Sequence, residues 1–110
     1  MEIQKFENID KAFKAILQKD VEFIIVKHKL YKGQGVKRHY HKKATEWLIL
    51  DNGSLDIRSD DSRQTITPKK EVIVVKFMVS VKHSVDALKD VEYFVIRDYK
   101  DETYYSNRLF

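Results

Sequence analysis

From Val21 onward, short runs rich in β-branched and aromatic residues alternate with brief polar breaks. The runs are VEFIIVKHKLY, EWLIL, SLDIR, RQTIT, EVIVV and VEYFVIRDY, and the breaks between them are GQG, DNG, SDDS, TPKK and LKD. Such side chains fit a pleated, half-buried surface, so each run reads as a strand. Strands at short intervals with no helix between them predict an all-β sandwich or barrel. Ahead of them, DKAFKAILQK at 10–19 places Phe13, Ile16 and Leu17 at helical spacing behind Asp10 as cap. This predicts one short amphipathic helix on the outside of the domain.

Side chains alternate along a strand, so Lys37, His39 and His41 are expected on one face. In the next run Glu46, Leu48 and Leu50 share a face while Trp47 and Ile49 point the other way. A strand apolar on both faces needs a cover for its outer side: the N-terminal helix, a second sheet, or another subunit. The last option favours a homodimer, with Trp47 in the outer core or at the contact. Asp51-Asn52-Gly53 is expected to reverse the chain into SLDIR.

Length sets the frame for these elements, since 110 residues correspond to one domain spanning 1–110. A composition that is 43% hydrophobic and 35% charged excludes disordered and fibrous classes. The net charge of +4 is spread among interspersed acids, without a helix-turn-helix or an aromatic RNA-binding pattern, so no nucleic-acid partner is expected. The longest apolar runs, 47–50 and 72–75, fall far short of the roughly 20 residues needed to cross a bilayer. The first residues are charged throughout and lack the apolar segment of a signal peptide, which makes a cytoplasmic location the expectation.

Chemistry concentrates in GQGVKRHYHKKATEWLILDNG at 33–53. Two imidazoles two residues apart on one strand, with a carboxylate on the next, can converge inside a barrel. Such donors suit a divalent transition metal when a fourth ligand joins them. There is no cysteine, so any metal must be held by nitrogen and oxygen. His83, in the apolar run VSVKHSV, is the expected fourth ligand, whereas His28, in KHK, is expected at the surface. Lys37, on the histidine face, is expected to meet an anionic substrate group at the barrel mouth. Tyr31 and Tyr93 are expected to line the pocket. The aromatic tail RDYKDETYYSNRLF is expected to form a final strand with an arm on a partner subunit, or to cover the mouth.

The spacing within that stretch resembles the first motif of the cupin superfamily at every named position: Gly33, five residues, His39, one residue, His41, four residues, Glu46, six residues, Gly53. The second motif is represented by His83 alone. Met78 stands where a proline is usual, Ser80 where a glycine is usual and Ala87 where an asparagine is usual, and Pro68-Lys69-Lys70 is the nearest echo of a Pro-Gly-Asp turn. The resemblance covers residues 23–97. It implies a double-stranded β-helix, the jelly-roll barrel, with His39, His41, Glu46 and His83 around iron, manganese, nickel or zinc.

The function so implied is that of a metal-dependent enzyme, isomerase-like or oxygenase-like, acting on a small polar metabolite such as a sugar, sugar phosphate or keto acid. Its general base is open among His28, Tyr31 and hydroxide. Without cysteine, the crosslink of thiol-oxidising cupins is impossible. Two other readings stand beside it: a non-catalytic metal- or ligand-binding module, and a metal-free ketoisomerase of nucleotide-linked sugars, to which HYHKK and the tyrosine-rich tail are similar.

Overall fold

The strand with two apolar faces lies at the centre of a five-stranded sheet. In chain order the elements are β1 (Glu2–Phe6), α1 (Ile9–Ile16), β2 (Ile24–Leu30), β3 (Gly35–Tyr40), β4 (Glu46–Leu50), β5 (Ser54–Ser59), β6 (Ser62–Ile66), β7 (Val72–Phe77), β8 (His83–Lys89), β9 (Val91–Arg97) and β10 (Tyr104–Tyr105). These come from a computed structural model that describes residues 1–60 and 62–105. Phe110 of the aromatic tail and Asp61 of the SDDS break lie outside the described residues. One sheet runs β1-β7-β4-β9-β2 and the other β10-β3-β8-β5-β6, with antiparallel pairing throughout. No helix among the described residues is long and apolar enough to cross a membrane.

The expected parity of β4 holds. Leu48 and Leu50 point between the sheets, into a core with Leu55 and Ile57 of β5, Val75 and Phe77 of β7, and Val85 of β8. Ile49 points outward and is covered by Ala12 and Ile16 of α1. Each such buried side chain contributes roughly 1.5–3 kcal/mol. The helix therefore supplies the cover that the sequence left open between helix, sheet and partner. Trp47 packs in the same outer layer, its ring 6.1 Å from that of Phe23.

Four local expectations are corrected. The helix is capped by Asn8, whose side-chain oxygen accepts from the Lys11 amide at 2.9 Å, while Asp10 sits in the first turn. It ends at Ile16, leaving Leu17 with extended backbone and exposed. β1 carried no sequence signal because its residues are mostly exposed and it is held by backbone pairing to β7. The VSVKHSV run is a strand only from His83: Val79 is exposed, and Ser80 takes a left-handed φ of 64° with its amide donating to the His41 carbonyl at 2.7 Å.

The Asp51-Asn52-Gly53 turn carries the chain from β4 in one sheet to β5 in the other, instead of closing a hairpin within one sheet. Asn52 ties it to β9 through both backbone groups of Glu92, at 2.8 and 3.0 Å. Gly53 has φ +67°, and a Cβ there would stand 2.5 Å from Cβ of Val91. Only glycine fits without displacing β9.

Candidate metal centre

His39, His41, Glu46 and His83 are all buried, and one donor atom from each lies within 4.8 Å of every other. The fold brings them together from both sheets. Glu46 opens β4 on the inward face, and His83 opens β8 directly across from His39 of β3. His41 follows β3 in the turn leading to β4.

Position 37 fails the parity expectation. The register of β3 against β8 breaks between Val36 and His39, a β-bulge that re-aims the histidine inward and leaves Lys37 exposed. The Lys37 carbonyl, not its ammonium, serves the site, because it accepts from Nδ1 of His39 at 2.7 Å.

The same arrangement recurs at the other two imidazoles. Nδ1 of His41 is 3.0 Å from the Glu102 carbonyl, and Nδ1 of His83 is 3.0 Å from the Val81 carbonyl. A carbonyl can only accept, so each Nδ1 carries a hydrogen and each ring turns Nε2 inward, where Nε2 of His83 is within hydrogen-bond distance of Oε2 of Glu46. Those three nitrogens stand 3.9, 3.3 and 2.8 Å from the Glu46 oxygen Oε2 for His39, His41 and His83 respectively. Nε2 of His41 has no hydrogen-bond partner among the described residues. Four Lewis bases crowded in this way repel unless a cation stands among them, either a proton on an imidazole or a metal ion. Nitrogen and oxygen donors in this number fit a divalent transition metal.

Electrostatics agree with the geometry. Burial, reinforced by neighbouring His83, pushes His39 down to about 4, so its ring is neutral at physiological pH. Burial alone raises the Glu46 carboxyl. The contacts from His41 and His83, with the Arg97 charge, outweigh that and hold it well below the usual carboxylate range. The ring of Phe77 lies parallel to that of His83, centroids 3.9 Å apart, and fixes its plane.

Beside this cluster lies a cavity of about 300 Å³, counting the open solvent at its mouth. Tyr93 lines it, whereas Tyr31 is half exposed and is not among the lining residues. His28 also lines the cavity, contrary to expectation, with Nδ1 3.4 Å from the Tyr93 hydroxyl. Burial, with the Glu46 charge, pushes that phenol up to about 12. Arg97 was missed: Nη2 lies 3.6 Å from Oε1 of Glu46, directly across the β4–β9 pair. Extending the inward parity of Tyr93 by two steps along β9 reaches it.

The described part of the tail, as far as Tyr105, packs on its own chain. β10 pairs Tyr104 with Tyr40 and Tyr105 with His39. Asp98 bonds the Thr45 amide at 2.8 Å and Asp101 the Ala44 amide at 3.2 Å.

No protein-family model matches the chain, and no curated protein does. Solved structures do match. A sugar phosphate isomerase from a cupin superfamily, from Silicibacter pomeroyi, is 19% identical with a TM-score of 0.66, the match covering 78% of this chain and 57% of that one. A cupin superfamily protein from Desulfitobacterium hafniense is 17% identical with a TM-score of 0.60, covering 90% of this chain and 79% of that one. A conserved protein with a double-stranded β-helix domain from Klebsiella pneumoniae is 8% identical with a TM-score of 0.68, covering 84% and 76% respectively. This chain thus spans little more than half the length of the isomerase. At these identities the shared property is the fold, a double-stranded β-helix.

Proposed function

We propose that this protein, with the fold of cupin-superfamily proteins, binds a divalent transition metal through His39, His41, Glu46 and His83 and acts on a small polar metabolite in the adjoining cavity. The observation carrying the reading is that three imidazoles, each fixed as the Nδ1–H form by a backbone carbonyl, aim Nε2 at one carboxylate oxygen. Bound there, the metal would supply Lewis acidity toward a carbonyl or hydroxyl oxygen. The likeness to the Silicibacter sugar phosphate isomerase supports, within this class, chemistry on a sugar.

The chain's own residues divide the remaining work. Glu46 brings the one negative charge among the described residues lining the cavity. Tyr93, kept protonated by burial, is a donor and not a base, and its hydroxyl is placed to bond His28 Nδ1. His28, half buried at the cavity wall, accepts from that hydroxyl through Nδ1 and holds it in place. Apolar Leu48, Val85 and Val95 complete the wall and exclude water. The modest volume favours a small metabolite over a nucleotide-linked sugar.

Elemental analysis of protein purified without a tag or chelator tests the reading. One equivalent of iron, manganese, nickel or zinc per chain is expected. A protein that holds none, and takes none up when each ion is supplied, overturns it and returns preference to metal-free histidine chemistry.

A further inference from the structure

The cavity beside the metal centre contains more positive charge than the metal site alone requires. Three neutral imidazoles and one carboxylate around a divalent ion leave a net +1. The Arg97 guanidinium, with Nη2 3.6 Å from Oε1 of Glu46, raises the local charge to +2. Glu46 is the only acid among the described residues that line this space. Nε of Arg97 is buried and has no hydrogen-bond partner among the described residues, and the contact to Glu46 is an ion pair longer than a hydrogen bond. A guanidinium with unused donors, beside imidazoles, a phenol and apolar side chains with a single carboxylate among them, calls for an anion.

Resting on the metal reading above, we propose that Arg97 receives the carboxylate of a small 2-hydroxy or 2-oxo acid, whose adjacent oxygen faces the four metal-binding donors. The distances select the class. Glu46 Oε1 is 3.6 Å from the guanidinium, while Oε2 of the same carboxylate is 2.8 Å from Nε2 of His83, so the cation and the metal-binding donors are separated by about one carboxylate. A ligand whose anionic group sits on the carbon next to the one bearing the metal-facing oxygen spans that separation. A carboxylate on the neighbouring carbon meets this, and its plane matches the planar donor fork of arginine. A phosphate ester several bonds from a sugar carbonyl does not.

The probe pair is glycolate and ethylene glycol, which differ by carboxylate against hydroxymethyl. Cobalt(II) is loaded into the full chain, its stoichiometry is measured, and the visible spectrum is titrated with each. The expected result is that Arg97→Gln weakens glycolate binding about tenfold or more, the usual worth of a charge-assisted hydrogen bond, and leaves ethylene glycol within about twofold. Arg97→Lys, which keeps the charge and loses the fork, should fall between. It serves as the test should the glutamine variant fail to fold or to hold cobalt: glycolate weaker and ethylene glycol unchanged supports the proposal. Loaded protein whose variants bind glycolate as tightly as the parent overturns the proposal alone. Parent protein that takes up no cobalt overturns the metal reading and this proposal with it. Inorganic phosphate binding more tightly than glycolate, with the same dependence on Arg97, overturns the carboxylate assignment.

Discussion

The Glu102 carbonyl lies 3.0 Å from Nδ1 of His41, so the segment after the last long strand sets the tautomer of a ligand at the centre of the barrel. That segment is itself anchored by Asp101, whose carboxylate accepts from the Lys43 and Ala44 amides. Burial raises the Asp101 carboxyl, and the Lys43, Glu102 and Ala44 amides together bring it below its ordinary value. Asp101→Ala should therefore loosen the orientation of His41 without removing a ligand. Groups that orient metal-binding histidines typically matter by 10–100-fold. Metal affinity measured by competition with a chromophoric chelator should fall about tenfold, while Asp101→Asn, which still offers an acceptor, should lie closer to the parent.

Removing a ligand should act differently. His41→Ala should abolish stoichiometric metal in elemental analysis and leave a cooperative thermal transition, because burial of Leu50, Leu55, Ile57 and Val75 holds the sheets together. Loss of the folded state on this change would show the metal to be structural.

How much of this was legible in the sequence depends on whether a residue's partner lies nearby in the chain. The Gly33 to Gly53 spacing encodes one local segment, so His39, His41 and Glu46 could be found together. His83 needed only the expectation of a fourth donor. The bulge in β3 was not legible, because period-two counting assumes an unbroken ladder, and that is why Lys37 was expected inward. β1 was silent because its pairing is all backbone. His28 and Arg97 depended on the β2–β9–β4 register, which sets His28 across from Tyr93 and Arg97 across from Glu46, on strands far apart in sequence.

Ser80 occupies the position where the resembled motif usually has glycine, and it adopts the left-handed φ of 64° that explains that usage. A non-glycine residue there costs about 1 kcal/mol or more. Ser80→Gly should raise the urea midpoint by an amount equivalent to roughly 1 kcal/mol with an unchanged m-value, less whatever the added freedom of the unfolded chain removes.

The pH dependence follows from His39. Its folded value of about 4 lies below the ordinary 6.5, so between these limits the unfolded chain binds more protons than the folded one. Stability of the metal-free protein should be fully present above pH 6.5 and decline as the pH falls toward 4, by at most about 3 kcal/mol from this group. Glu46, whose value is depressed, extends the loss below pH 4. Urea titrations at several pH values should show the decline, and His39→Gln should flatten the upper window.

The central claim is that three imidazoles, each with a hydrogen on Nδ1, turn Nε2 toward one carboxylate oxygen. Long-range proton–nitrogen NMR of the histidine rings, recorded before and after addition of zinc, reads this directly. The account predicts that His39, His41 and His83 carry their hydrogen on Nδ1 in the zinc-loaded protein, with His39 already in that neutral form before zinc is added, and that all three Nε2 resonances shift together at one equivalent, while His28 does not join them. Nε2–H tautomers at these positions, or ring signals that zinc leaves unmoved, would contradict it.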